Sequence, residues 1–296
     1  MLEDKIIKAV LTLERRGSYP STVNIAKLTG AKNHGVISYF LRKRFSKRFQ
    51  EVRNEFGLDI PSPQALRESL KLYSGNLYEA RKIYGSSLEI SSTDWYKNIR
   101  IPTSIDASVA ELIGIYWGTG FIREDINKKH YTHKSFIIQG KCSDKRFFRT
   151  KLKSLIKNHH NIEVKIKPAY HTINNTEYDN PRIVMSSLAL LTWLVNVIGF
   201  PEDKINLDLP KIDLNKMNII KGFIRGVIES SYSVSSSKLA LSNPALNYLA
   251  GLKGLFENFN IHSSIFQRSN SNSYRLDLSV EGTTRLKIMG LFSPRQ

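Results

Sequence analysis

The sequence predicts an α+β chain in which one αββαββα unit is used twice, behind an all-helical N-terminal third. Three observations predict it. AELIGIYWGTGFI (110–122) and IIKGFIRGVIESSYSV (219–234) are both apolar helix patterns with a mid-helix glycine and a small polar end, and those glycines, Gly114 and Gly226, lie about 112 residues apart. After each of these helices, strand-like and helical patterns follow in the same order. Before residue 105 the apolar spacing is helical.

The first segment, 1–58, ends at FGLDIPSP, where Pro61 and Pro63 stop any helix. KIIKAVLTLERR puts Ile6, Val10 and Leu13 at helical spacing. STVNIAKLTG follows, with Ser21 or Thr22 as N-cap and Gly30 as stop. AKNHGVISYFLRKRF then resumes the helix with Val36, Ile37 and Phe40 inward. Two helices joined by a glycine-ended turn predict a helix-turn-helix unit, whose second helix would enter the major groove. That helix offers Lys32, Asn33, His34, Ser38 and Arg42 outward, and RKRFSKR carries the charge on through Lys43, Arg44, Lys47 and Arg48. The plain alternative is a solvated charged face on a three-helix bundle.

Residues 62–102 repeat the theme. PQALRESLKLYSGNLYEARKIYG is a helix, a Gly-Asn break and a second helix with Ala80 at the close-packing position. SSTDWYKNIR opens on a cap, with Trp95 inside and Lys97 and Arg100 outside. This predicts a second helix-turn-helix-like unit, up to the break at RIPTSIDAS.

The first repeat spans 105–205. ASVAELIGIYWG is its leading helix, FIREDI and KSFIIQGK are strands, and DKRFFRTKLKSLIKNHH is a strongly basic amphipathic helix. VKIKPAY and PRIVMSS are strands, and SLALLTWLVNVIGF closes the set. The second repeat spans 211–296: NKMNIIKGFIRGVIES, strands SYSVSSS and KLALSN, helix ALNYLAGLKGLFENFN, strands HSSIFQRS and SYRLDLSV, and helix GTTRLKIMGLF.

Charge narrows the function. The 296 residues carry a formal net charge of +18, with a pI near 9.8. A chain this basic prefers polyanions, above all nucleic acid. The single thiol, Cys142, can form neither an internal disulfide nor a cysteine-based zinc site, so the chain reads as intracellular. MLEDKIIKAV has no apolar signal region, and LALLTWLVNVIGF is too short to span a bilayer and reads as a buried helix. We expect a cytoplasmic, nucleoid-associated protein with no membrane partner. HYTH (130–133) and NHHN (158–161) lack carboxylate or thiol neighbours at ligand spacing and read as surface or phosphate-contacting residues. No phosphate-cradling glycine loop of the NTPase kind is present, so no nucleotide-driven work is expected; no metal, cofactor or small-molecule substrate is expected either.

The repeated segments resemble the LAGLIDADG homing endonuclease family in its single-chain, two-repeat form. In LIGIYWGTG, Leu112, Gly114, Ile115 and Gly120 match the nine-residue motif; in IRGVIESSY, Gly226, Val227, Ile228 and Glu229 match. RIPTSID, VIGFPEDKINLDLP and LFENFNIHSSIFQ fit around them, and the likeness covers about two-thirds of the chain. The resemblance implies motif helices crossing at a pseudo-twofold axis, with Gly114, Gly118 and Gly226 allowing close packing. It implies a curved four-stranded sheet in each repeat, reading the DNA major groove with alternate side chains. On the strands, Arg123, Gln139, Lys141, Lys165, Lys167, Tyr170 and Arg182 are the candidates in the first repeat. Ser233, Ser235, Ser237, Lys238, Gln267, Arg268, Tyr274 and Arg275 are those in the second.

The chain departs from the family at one point. Active members carry an acidic eighth motif residue that holds divalent metal, and hydrolysis of a phosphodiester needs such hard oxygen ligands. Here those positions are Thr119 and Ser231. Tyr232 replaces the closing glycine and is expected to add bulk where DNA strands would meet, while Glu229 sits two residues back and should point elsewhere. The expected function is therefore non-enzymatic, sequence-selective binding of double-stranded DNA, in transcription regulation or chromosome organisation and segregation. The WhiA family shows a similar pairing of a degenerate endonuclease domain with a helix-turn-helix. Two alternatives remain: a cutting or nicking endonuclease using Glu124, Asp125 or Glu229, and a maturase-like RNA-binding protein.

Overall fold

The computed structural model describes residues 2–16, 18, 21–45, 76–91, 93–94, 97–126, 132–173, 176–235, 238–269 and 271–292. The chain divides into two compact units, Met1–Ile83 with Ile90–Ile99, and Tyr84–Glu89 with Arg100–Gln296.

In the first unit, α1 (Leu2–Arg15), α2 (Thr22–Thr29) and α3 (His34–Phe45) share one core of Ile6, Ala9, Val10, Leu13, Ile25, Ala26 and Ile37. Ser21 caps α2, its hydroxyl accepting from Asn24 N at 3.1 Å. Gly30 ends it in the left-handed region at φ 68°, which lets its N–H close on Ala26 O. Val36 is a correction: it is exposed, while Ile37, about 100° further round α3, is fully buried and Phe40 only partly so, which puts Val36 at the edge of the core face. Asn33 Oδ1 accepts from Val36 N at 3.2 Å and so begins α3. Beyond it, α4 (Asn76–Tyr84) buries Leu77 and Ala80. The helix expected from 63, Trp95, Lys47 and Arg48 lie outside the described residues.

The second unit has the αββαββα order twice. The first set is α5 (Ala107–Thr119), β1 (Gly120–Ile126), β2 (Thr132–Gln139), α6 (Lys145–Phe147) running through a π-turn (Phe148–Leu152) into α7 (Lys153–His160), β3 (Lys167–Ile173), β4 (Thr176–Met185) and α8 (Leu188–Thr192). The second is α9 (Met217–Ser231), β5 (Tyr232–Ser235), β6 (Lys238–Asn243), α10 (Leu246–Glu257), β7 (Ser263–Gln267), β8 (Tyr274–Leu278) and α11 (Val280–Ile288). Two boundaries move: β3 begins only at Lys167, and β4 begins already at Thr176. Each repeat builds one antiparallel sheet, in the orders β1-β2-β4-β3 and β5-β6-β8-β7.

The motif helices α5 and α9 cross with their backbones in contact. A Cβ on Gly226 would stand 2.8 Å from Glu111 C and 2.9 Å from Ile115 N; one on Gly114 would stand 2.9 Å from Val227 N and 3.1 Å from Gly226 Cα. Ile115 and Val227 hold equivalent places in the two repeats, so the two contacts are related by a pseudo-twofold. Around the crossing, Trp117 is fully buried and its indole N–H donates to Asp208 O at 2.7 Å. Phe200 takes the edge of Trp117 and of Phe136, and Phe136 meets Tyr116. This aromatic chain ties the first motif helix to its own sheet and to the segment joining the repeats.

Candidate nucleic-acid interface

Directly paired residues of neighbouring strands share a face of the sheet, and successive residues alternate. In the first sheet, Phe136 meets Tyr116, and Asp179 takes Lys145 Nζ at 2.7 Å, which marks the helix-covered face. The other, open face carries Gln139, Arg182 and Lys167 in one row, with Phe121 beside Ile137 and Arg123 beside Ser135. In the second sheet, the open face carries Ser242, Arg275 and Phe266 in one row and Ser233, Ala240, Asp277 and Ser264 in the next.

This register sorts the expected binding residues. Arg123, Gln139, Lys167, Arg182, Ser233, Lys238, Arg268 and Arg275 fall on the open faces, and Lys141 lies beyond the end of β2. Lys165 is exposed ahead of β3. Three fall on the opposite side from the open faces: Tyr170, which pairs with Asp179 and is still 68% exposed, and Gln267 and Tyr274, which pair with each other, Tyr274 also with Asn243. The physical reason is the two-residue period of a strand. Gln267 and Arg268, or Tyr274 and Arg275, are neighbours in sequence and cannot share a face. Ser237 and the side chain of Ser235 lie outside the described residues, as do the side chains of Arg42, Lys43 and Arg44. Lys32, Asn33 and His34 are exposed, Ser38 is half-buried, and Lys97 and Arg100 are exposed. Phe266, Ser264 and Asp277 reach the open face without having been expected; the pairing register is the signal that finds them.

The tips of the motif helices meet the two open faces at a cleft of about 700 Å³, lined by Gly118, Thr119, Phe121, Gln139, Gly140, Lys141, Asp144, Lys204, Ser230, Ser231, Ser233, Ser242, Arg268 and Arg275. The tip hydroxyls turn back into their own helices. Thr119 Oγ1 donates to Ile115 O at 3.2 Å, and Ser231 Oγ donates to Val227 O at 2.7 Å, the equivalent bond in each repeat. Each helix end is met by a lysine instead. Lys204 Nζ donates to Gly118 O at 3.0 Å and Gly120 O at 3.2 Å, while Lys141 Nζ donates to Tyr232 O at 3.4 Å. A cation suits the carbonyl end of a helix. Burial lowers the Lys204 pKa to about 8.

Four cations thus line the cleft against the Asp144 carboxylate, which is buried and already accepts from Lys141 N and Ser143 Oγ. Arg275 also pairs with Asp277. Tyr232 is a second correction. It does not crowd the cleft; paired with Leu241 on the helix-covered face, its ring lies edge-on to Phe292 at 5.0 Å. Glu229 is absent from the cleft lining. Both its oxygens take Lys151 Nζ, at 2.7 and 2.6 Å, and the same ammonium reaches Glu111 Oε1 at 2.5 Å. Burial raises the Glu229 pKa, with Lys151 opposing. Glu124 pairs with Lys134 in register, on the face opposite Arg123, and the Asp125 side chain lies outside the described residues.

The histidines of NHHN also differ from expectation. His160 is fully buried, with Nδ1 3.1 Å from Arg100 O, and burial lowers its pKa to about 4. His159 Nε2 lies 2.8 Å from Ser108 Oγ. Among the described residues no group of three His, Cys, Asp or Glu could hold a metal ion, and no helix is long and apolar enough to cross a membrane. Lys204, Asp144, Lys151 and Arg225, whose Nη1 lies 3.6 Å from Glu111 Oε2, were not expected as site residues. Lys204 sits in VIGFPEDKINLDLP, a stretch whose sequence gives no sign that it returns to a helix tip.

The geometry defines a two-repeat αββαββα protein with crossing helices and two open sheet faces, the arrangement that the motif resemblance implies. No protein-family model matches the chain, and no curated protein matches it. Among solved structures it is similar to mesophilic variants of the homing endonuclease I-DmoI, at 19% identity over 64% of this chain and 98% of that one, with a TM-score of 0.46. It is similar to I-DmoI in complex with DNA and Mn at 18% identity over the same 64% and 98%, TM-score 0.45. It is also similar to the N-terminal LAGLIDADG domain of DUF199/WhiA, at 13% identity over 74% of this chain and 92% of that one, TM-score 0.38.

Proposed function

We propose that this chain is a non-enzymatic, sequence-selective double-stranded DNA-binding protein built on a LAGLIDADG saddle, acting in transcription regulation or in chromosome organisation and segregation. The observation that carries the reading is the cleft. Where divalent-metal chemistry would need carboxylates, Thr119 and Ser231 bond to their own helices and Lys204 and Lys141 sit on the helix ends. Phosphate contacts from Lys and Arg would supply affinity, and open-face residues such as Gln139, Arg182 and Arg275 would read base edges. The structures it is similar to include a DNA complex of I-DmoI. The N-terminal helices α2 and α3 would act as a helix-turn-helix module, presenting Lys32, Asn33 and His34 to the major groove, and linking such modules raises the effective concentration of each.

The experiment has two arms on the full chain. Binding to random duplex and to selected sequences is followed by fluorescence anisotropy between 50 and 200 mM salt. With roughly six to ten phosphates neutralised, affinity falls about 10³ to 10⁵ across that range. A supercoiled plasmid incubated with Mg²⁺ or Mn²⁺ stays intact. A flat salt response overturns the binding reading, and cutting that disappears in Glu229→Ala overturns the non-enzymatic one.

A further inference from the structure

β7 (Ser263–Gln267) is an outer strand of the second sheet, paired to β8 on one side only. The ladder tells which of its backbone groups face outward. Arg268 N donates to Ser273 O and Ser279 N donates to His262 O, one bond just beyond each end of the β7–β8 pairing. In an antiparallel pair, every second residue turns its N–H and C=O to the strand beside it. His262, Ser264, Phe266 and Arg268 therefore face β8, and Ser263, Ile265 and Gln267 hold their N–H and C=O outward. Among the described residues, none of these outward groups has a backbone partner.

An open strand edge invites another strand unless something blunts it. The first sheet carries such a guard. Gly120 and Tyr232 each end a motif helix as its C-cap, and the paired rows can be followed outward from both. They make Arg182 the counterpart of Arg275, Lys167 of Phe266 and Pro168 of Gln267. The outer edge of the first repeat thus has a lysine and, where β7 points an N–H outward, a proline that has none. β7 reads SSIFQ, without charge or proline, and its Phe266 is 55% exposed. In a chain of net charge +18, this is an edge that two copies can share without setting like charges opposite each other.

We infer that β7 is the contact of a homodimer, in which two copies of this chain pair the strand antiparallel about a twofold axis at Ile265. Ile265 then faces Ile265 of the second copy, and Ser263 faces Gln267, each pair exchanging both N–H···O=C bonds. Ser264 faces Phe266 on the open side, so the open faces of the two copies run on into each other. Beyond the strand, Arg268 meets His262 rather than a second arginine. The pairing is isologous and leaves β7 no free edge for a third chain. One short strand buries less than a standard interface, so the dimer is weak, with a dissociation constant on the order of 100 µM. This goes beyond duplex binding and does not depend on it.

The test is sedimentation velocity of the full chain without nucleic acid, in about 0.5 M salt to screen the repulsion between basic chains. Across about 5 to 500 µM, wild type is expected to pass from monomer to dimer. Gln267→Pro copies the guard of the first repeat into the second, removing an outward N–H and no bond to β8. It should weaken dimerisation about tenfold or more. Ile265→Lys and Ile265→Glu each set like charges opposite across the axis and should sediment as monomers, while their equimolar mixture should dimerise. Wild type that stays monomeric throughout overturns the dimer and leaves duplex binding, read separately by anisotropy, as it stood. Wild type that dimerises with every variant dimerising equally well overturns β7 as the contact. A mixture of the two Ile265 variants that stays monomeric overturns the register centred on Ile265. Should the Ile265 variants not fold, Gln267→Pro, at an exposed position, decides alone.

Discussion

The crossing of the motif helices can be tested by one methyl group. Gly226→Ala places a Cβ 2.8 Å from Glu111 C and 2.9 Å from Ile115 N, and closer still to the Glu111 carbonyl oxygen. Carbon needs about 3.5 Å, so the helices must part by more than half an ångström. The obstacle is backbone on a neighbouring helix and cannot rotate away. Overpacking of this kind costs about 1–3 kcal/mol, and a rigid backbone contact places Gly226→Ala at or above the top of that range. Against this, alanine gains up to about 1 kcal/mol over glycine inside a helix. The net loss is about 2 kcal/mol or more. Gly254→Ala is the matched control, since it lies in α10, is exposed and has nothing within 4 Å of its Cβ position. It should gain about 0.5–1 kcal/mol from propensity alone. Urea unfolding followed by the fluorescence of buried Trp117 and Trp193, in a Trp95→Phe background that silences the tryptophan of the first unit, reads the second unit. A Gly226→Ala protein as stable as wild type would refute the close crossing.

Four further outcomes are expected. Lys151→Met leaves the Glu111 and Glu229 carboxylates facing each other near the crossing; we expect a loss of about 2 kcal/mol in urea unfolding, lower than for a fully buried pair because Lys151 is 37% exposed. His160 has a folded pKa of about 4 against 6.5 unfolded, so its contribution is fully present above about 6.5 and is lost as pH falls towards 4. Between pH 7 and pH 5 wild type should lose about 2 kcal/mol that His160→Phe does not lose, measured by urea unfolding at each pH. Arg275→Ala should weaken duplex binding in an anisotropy titration, while Tyr274→Ala, one residue away on the helix-covered face, should leave it unchanged. Asn33→Ala removes the bond to Val36 N that begins α3 and should lower the melting temperature of the N-terminal unit, a cap being worth about 1 kcal/mol.

Much of the fold is legible because it is written in local periods. The helical spacing of Ile6, Val10 and Leu13, the cap at Ser21 and the stop at Gly30 need no tertiary information. The doubled αββαββα order is visible because the same pattern occurs twice, and each copy supports the reading of the other. What fails is anything that depends on register or on a distant segment. Alternation shows that Tyr274 and Arg275 face opposite ways, but not which of the two faces the helices. Val36, Ile37 and Phe40 are all apolar, and only the packing of α3 on the core of α1 and α2 decides which of them turns out. His160 ends a strongly basic helix and reads as a surface group until the chain at Arg100 closes over it.

The crossing and the tips answer to separate physics. Close approach depends on the absence of Cβ atoms at Gly114, Gly222 and Gly226, which meet backbone of the opposite helix. At the tips, the Gly118 Cβ position is met by Ser230 and, at 3.2 Å, by Ser231 Oγ, while Thr119 and Ser231 each satisfy their hydroxyl on the carbonyl four residues back. Thr119 appears in none of the glycine contacts of the crossing, so its chemistry can change with less disturbance to the packing than a change at the glycines. The reverse does not hold, because a side chain at Gly114 or Gly226 would move both tips, and with them Lys204 and Lys141. Selection on the saddle as a binding surface would keep the glycines and the register of the open faces. It would leave the tips free to exchange metal-holding oxygens for hydroxyls, and the loop carrying Lys204 free to bring in its own positive charge. On the proposed reading, that asymmetry is why the motif remains recognisable through its glycines while its acidic positions have changed.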